Sequence, residues 1–258
     1  MAIMLRSSRE IERLRKAGAV VAEVLLKIKE AVKPGVSTLE LDQLAMDVTN
    51  AAGAKALFRG VESPYANKPF PGAICASVNE QVVHGIPAKR FEVREGDILS
   101  VDFGVKLKGY CGDAAVTIGV GQILQERQQL IDATKRLLDI AINRSAPGIK
   151  WSEIAGQMES SAKSAGFSVV EDFVGHGIGT EMHEDPKVPN FVSDELLKKD
   201  IILKEGMVLA VEPMVNMGSG AVKLARDGWT VITKDGKCSA HFEHTIVIVK
   251  GGCEVLTA

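Results

Sequence analysis

The sequence predicts an α/β chain of α+β type, built from two related halves that each set helices against antiparallel sheet. Three observations carry this. REGDILSVDFGV at 94–105 and KEGMVLAVEPMV at 204–215 are the same strand written twice, with Glu95/Glu205, Gly96/Gly206, Leu99/Leu209, Val101/Val211 and Val105/Val215 identical at a constant offset. Asp102 in the first copy stands where Glu212 stands in the second. PGVSTLELDQLAMDVTNAAG from Pro34 is likewise answered by PGIKWSEIAGQMESSAKSAG from Pro147, with the same span from proline to glycine. Finally, a chain of 258 residues that is 46% hydrophobic can bury a sizeable core. The repeat is too long for a solenoid, so one domain over 1–258 is expected, its halves near 8–121 and 122–250 meeting at about Gly121.

Helices are predicted near 8–32, 38–52, 124–144 and 152–165. The first alternates charge with aliphatics as a soluble amphipathic helix does; the second opens on Ser37 and Glu40, spaced as a capping box. Each repeated segment starts at a Pro-Gly turn and stops at a glycine suited to a C-terminal cap. Strands are predicted near 74–79, 98–105, 114–120, 207–215 and 244–249. Along 98–105 the period-two rule puts Leu99, Val101, Phe103 and Val105 on one face and Ile98, Ser100 and Asp102 on the other. Ala210 answers Ser100, so both copies keep a small side chain two positions before the acid, which leaves room for something other than packing. The second half also holds an extra glycine-rich loop at 216–235.

Composition excludes several classes of function. A formal charge of −2 gives no global attraction to nucleic acid or an anionic membrane. No apolar run approaches a membrane span. Cys75, Cys111, Cys238 and Cys253 show no CxxC spacing and follow no signal peptide, which points to reduced thiols in a cytoplasm.

Asp113 follows Asp102 after the turn-like KLKGYCG. A two-residue hairpin loop puts both acids on one side, and a three-residue loop separates them. Aligning GDAAVTIG with FEHTIVIV matches Asp113 with Glu243, so each half offers two carboxylates from adjacent strands. Taken singly, each acid reads as a solvated strand end; an acid reproduced at the same register in two diverged copies does not. Four carboxylates in one cleft stay partly protonated unless cations hold them, and two divalent ions neutralise four of them.

His176 sits in VGHGIG, whose glycines let the backbone turn closely around a ligand, while His84 in HGIP and His183 in HEDP each precede a proline by three. His241 and His244 flank Glu243 and read as ordinary hydrogen-bonded histidines. GHGIGT lacks the dinucleotide spacing GxGxxG, HEDPK is not HExxH, and no GxSxG elbow offers a nucleophile.

SVNEQVVHGIP, SVDFGV, GYCGDAAVT, GHGIGTEMHEDP, VLAVEPM, DGWTVITKDG and SAHFEHTIVI together resemble the type I methionine aminopeptidases of the pita-bread metallopeptidase superfamily, from the first helix to the last strand. The resemblance implies a pita-bread fold with external helices. It also implies a two-metal centre of Asp102, Asp113, His176, Glu212 and Glu243, with Asp113 and Glu243 bridging. The ions could be Mn(II), Fe(II), Co(II) or Zn(II), all suited to a carboxylate-rich set. A metal-bound water or hydroxide is then the nucleophile, Glu212 its general base, and His84 and His183 contact the substrate. Cys75, Met182 and Trp229 stand at methionine-pocket positions, Met182 where many relatives carry an aromatic residue. The implied activity is removal of an N-terminal methionine from nascent proteins when the next residue is small, by a monomer in transient contact with the ribosome. Met1-Ala2 has that form. Neither an N-terminal zinc-binding extension nor a large helical insertion in the second half is seen, the pattern of the short bacterial-like form.

Two other readings compete. An aminopeptidase P or prolidase uses the same ligands to cleave before proline and usually carries a further N-terminal domain. A binding-only module of this fold generally loses ligands, whereas all five stand here.

Overall fold

The structure, a computed structural model, describes residues 3–258; the Met1-Ala2 start lies outside the described residues. Its helices are α1 (Ser8–Ala31), α2 (Thr38–Ala51), α3 (Gln125–Arg144), α4 (Trp151–Ser164) and the short α5 (Asp194–Lys198). The strands before α3 are β1 (Lys55–Ala56), β2 (Cys75–Val78), β3 (Gln81–Val83), β4 (Ile98–Leu107) and β5 (Tyr110–Gly119). After α4 come β6 (Ser168–Val169), β7 (Gly175–Gly177), β8 (Glu184–Val188), β9 (Val208–Val211) and β10 (Met214–Asn216). The last five are β11 (Val222–Leu224), β12 (Val231–Thr233), β13 (Ser239–His241), β14 (Glu243–Val249) and β15 (Gly252–Val255).

The main sheet runs β1-β4-β5-β14-β9-β7-β8, with β2 beside β4 and β15 beside β14, every pairing antiparallel. It passes through both halves without a break. Leu99, Val101, Phe103 and Val105, the face predicted to be apolar, bury against Val21, Val24 and Ile28 of α1 and Leu41 and Ala45 of α2. In the second half Leu209, Val211, Ile246 and Ile248 bury against Leu137 of α3 and Trp151, Ile154 and Met158 of α4. Each such side chain contributes about 1.5–3 kcal/mol on full burial.

The duplication is visible in backbone hydrogen bonds. Gly35 N–H donates to Val93 O and Gly148 N–H to Leu203 O, each at 2.8 Å; Thr38 to Phe91 and Trp151 to Ile201 repeat the same relation at 2.9 and 2.8 Å. Gly96 and Gly206, identical in the repeat, turn into their strands at φ 90 and 88, a conformation that disfavours any side chain. Ser37 and Glu40 form the expected capping box.

Three expectations are corrected. The strand predicted over 207–215 is broken at Glu212 and Pro213, because proline has no N–H to give the ladder; Met214–Asn216 leaves to pair with β13 and β6 in a separate sheet. The segment 216–235 is not an open loop: β11 and β12 pair within it, and β12 pairs with β3. Nor does Ser100 leave space beside the acid. Its hydroxyl is buried against Thr117 Oγ1 at 2.8 Å, and that hydroxyl donates to His241 O at 2.7 Å.

Candidate metal centre

Because side chains alternate along a strand, register decides which acids meet. Lys108 and Gly109, both at positive φ (48 and 88), make the two-residue turn that joins β4 to β5. Asp102 therefore pairs with Ala115, and Gly104 with Asp113, leaving the two acids diagonal on one face. Ala115 pairs in turn with Glu243. Val211 opposite His244 brings Glu212, one residue on, level with Glu243, and His176 pairs with Ala210 on the same face. The five predicted ligands thus come from five neighbouring strands or their ends. The copies are not identical in register, since Asp102 is diagonal to Asp113 where Glu212 faces Glu243.

Ligand atoms of Asp113, His176 and Glu243 lie within 4.8 Å of one another. His176 Nε2 is 3.5 Å from Glu212 Oε1. Asp102 and Glu212 join them in lining a cavity of about 530 Å³. The donor set fits a divalent ion on three counts. Asp102 Oδ1, Asp113 Oδ1 and Glu243 Oε1 are buried with no hydrogen-bond partner among the described residues, a costly state for lone acceptors. His176 Nδ1 donates to Gly177 O at 2.9 Å, which fixes the tautomer and leaves Nε2 with its lone pair. Four carboxylates and one imidazole also match the preference of Mn(II), Fe(II), Co(II) and Zn(II). The glycines flanking His176 serve a different end from the one expected: a Cβ at Gly175 would lie 2.3 Å from Ala210 O, and one at Gly177 2.2 Å from Asp185 O. They admit neighbouring backbone, not a ligand.

Without cations this cluster is under electrostatic stress. Burial pushes Asp102 up to about 7. Burial, then the neighbouring acids, raises Asp113, Glu212 and Glu243 well above the usual carboxylate range. A carboxyl whose folded-state pKa is raised stabilises the fold fully below its unfolded value near 4 and loses that contribution as pH rises through the folded value. The metal-free protein is therefore expected to lose thermal stability between about pH 4 and pH 7 on this account, with a smaller loss in Asp102→Asn and restoration by a divalent ion. Thermal unfolding of stripped wild type and Asp102→Asn at pH 5 and pH 8 tests this; equal pH dependence in the two would contradict it.

The pocket assigned from sequence lies directly beside the predicted ligands. Cys75 pairs with Asp102 across β2 and β4. It packs in one apolar cluster with Met182 and Trp229, and the structure adds Phe58 and Phe70, whose ring meets Trp229 edge-on at 5.2 Å. The two phenylalanines lie in a proline- and glycine-broken stretch with no periodicity to single them out. Trp229 is held by its Nε1–H to Lys68 O at 3.1 Å. Burial and the charges of Asp102 and Asp113 push the Cys75 thiol up, so it is a wall of the pocket and not a nucleophile.

His84 and His183 line the same cavity. Burial, then His183, lowers His84 to about 4, and burial lowers His183, so both present neutral rings near pH 7. His183 stacks edge-on against His176 with ring centroids 4.5 Å apart. His244 pairs with Thr257 Oγ1 at 2.9 Å, and His241 is buried and lowered to about 3 by burial. Neither lines the cavity.

Known proteins resemble the chain over its whole length. The chain is 46% identical over 257 residues to the methionine aminopeptidase of Aquifex aeolicus, covering 100% of this chain and 99% of that protein. The crystal structure of the Thermotoga maritima methionine aminopeptidase matches with a TM-score of 0.93 at 39% identity over 99% of both chains. The Pyrococcus furiosus prolidase shares the fold alone, with a TM-score of 0.74 at 20% identity over 98% of this chain and 65% of that one. The expected pita-bread fold is thus the one observed. Residues 12–250 match metallopeptidase family M24, and with identity this high over the whole length the chain belongs to that family, among its methionine aminopeptidases.

Proposed function

We propose that this protein removes the N-terminal methionine from peptides and nascent proteins, with preference for a small second residue. One observation supports it above the rest: Cys75, in the wall of the apolar pocket, pairs with Asp102 of the metal centre. A substrate whose amino terminus is held at the centre has its first side chain in that pocket. An unbranched thioether suits a slot lined by Phe58, Phe70, Cys75, Met182 and Trp229.

Asp102, Asp113, His176, Glu212 and Glu243 would hold two divalent ions, with Asp113 and Glu243 serving both. When bound, such ions supply Lewis acidity toward the scissile carbonyl and a water acidic enough to ionise near neutral pH. Glu212 takes the proton of the attacking water and passes it to the leaving nitrogen. His183, neutral, donates a hydrogen bond to the carbonyl oxygen as it gains charge. His84, which lines the same cavity, helps orient the peptide or assists the leaving nitrogen. The chain would form one catalytic domain over 1–258, with halves near 8–121 and 122–250, and act as a cytoplasmic monomer in transient contact with the ribosome. No helix among the described residues is long and apolar enough to cross a membrane.

Cleavage of Met-Ala-Ser, Leu-Ala-Ser and Ala-Pro-Ser with Mn(II), Fe(II), Co(II) or Zn(II) added separately tests the reading. Met-Ala-Ser is expected to exceed Leu-Ala-Ser in kcat/KM by roughly 10–200-fold, the range that small differences in an apolar side chain supply. Preference for Ala-Pro-Ser would move the chain to proline-specific peptidases, and no cleavage with any ion would make it a binding module.

A further inference from the structure

Arginine is rarely buried without a partner, yet Arg6, in the short arm ahead of α1, is 8% exposed. Its Nη2 donates to Glu184 Oε2. The other oxygen of that carboxylate, Oε1, accepts the backbone N–H of Thr180 at 2.9 Å and of Glu181 at 3.1 Å. One carboxylate therefore ties the arm to the turn 179–184, and that turn carries Met182, a wall of the methionine pocket, and His183.

The arm is itself fixed. Arg6 N–H donates to Gly206 O at 2.7 Å, and α1 begins immediately afterwards with the Ser7 and Glu10 capping box. Arg6 Nη1 also lies 3.6 Å from Glu10 Oε1. The fit leaves no slack. A Cβ at Gly179 would lie 1.9 Å from Arg6 Nη2, and one at Gly206 would lie 2.9 Å from Arg6 O. Arg6 does not line the cavity, whereas Glu184 does. The guanidinium acts on the site only through that carboxylate.

We propose that Arg6 is a positioning residue: through Glu184 it holds the turn 179–184 so that His183 faces the reacting carbonyl and Met182 closes the methionine pocket. This rests on the aminopeptidase reading above. Loss of the latch frees a carboxylate at the cavity edge and two backbone N–H groups in the same turn, so turnover and selectivity fall together.

The test uses the metal-loaded full chain carrying Arg6→Ala, Arg6→Lys or Glu184→Gln, each alone and with His183→Ala. For Arg6→Ala the expected result is a fall in kcat for Met-Ala-Ser of about 10–100-fold, the scale on which a distant change that misplaces a reacting-site group by about 1 Å acts. Metal content stays unchanged, Met over Leu preference drops severalfold, and amide exchange at Thr180 and Glu181 accelerates. Arg6→Lys restores most of the loss. In the His183→Ala background Arg6→Ala costs less than about twofold further, because the group it positions is gone. A latch that serves the fold alone would lower the melting temperature yet leave kcat per folded, metal-loaded molecule unaltered, and that result overturns the proposal. So does a fully additive loss with His183→Ala. Should Arg6→Ala fail to fold, Glu184→Gln decides by the same criteria. Wild type that ignores Met-Ala-Ser would sink the functional reading instead; the amide exchange at Thr180 and Glu181 still judges the latch in that case, and unchanged exchange overturns it.

Discussion

In Asp113→Ala, and equally in Glu243→Ala, binding of both divalent ions is expected to weaken, and turnover to fall by more than the roughly hundred- to thousandfold that losing one oxyanion donor costs. Each carboxylate sits in the middle of the five-strand arrangement: Asp113 on β5 between the Asp102 and Glu243 strands, Glu243 on β14 between the Asp113 and Glu212 strands. Both are 2% exposed, and each has a buried oxygen with no hydrogen-bond partner among the described residues. In the proposed centre, removing either would take away a ligand serving both ions and leave the remaining acids to repel or to protonate. Calorimetric titration of Mn(II) into the stripped variants reads the effect. Two-ion occupancy as in wild type would remove these residues from the bridging role.

The second large effect is expected at His183. Replacement by alanine should lower kcat by about a hundredfold or more with metal content intact, since a donor aimed at charge that develops only in the transition state contributes to turnover and not to ion binding. The ring is neutral because burial lowers its pKa, so it keeps a proton to donate through the neutral range. It lies against His176 at 4.5 Å between ring centroids, beside the candidate metal ligands without belonging to the set of Asp113, His176 and Glu243. Steady-state kinetics beside elemental analysis of the same preparation separates the outcomes. Normal turnover would exclude His183 from the chemistry, and loss of metal would make it a ligand.

The acids were legible because strand alternation and duplication act together. Asp102 and Glu212 repeat at one register, and the face they occupy follows from Leu99, Val101, Phe103 and Val105 being committed to the other side. Whether Asp113 joined them depended on a loop length that composition leaves open, and the positive φ of Lys108 and Gly109 settles it as two residues. The strand break at Pro213 was marked by the proline, but the new pairing of Met214–Asn216 depends on β6 and β13, which lie far away in sequence. Phe58 and Phe70 belong to a stretch without period, and Ser100 looked like spare room only because its buried partner Thr117 is on the next strand. The link from Arg6 to Glu184 joins residues 178 apart in sequence, and no local pattern announces it.

The central claim is that the four carboxylates and His176 form a metal centre that drives removal of N-terminal methionine. Its most direct test is to titrate Mn(II) into the stripped wild-type protein while following both ion binding and cleavage of Met-Ala-Ser. Cleavage should be absent at the outset, rise with bound ion and reach its plateau by about two equivalents, the number that neutralises four carboxylates. Full cleavage in the stripped protein, or two ions bound with none, would contradict it.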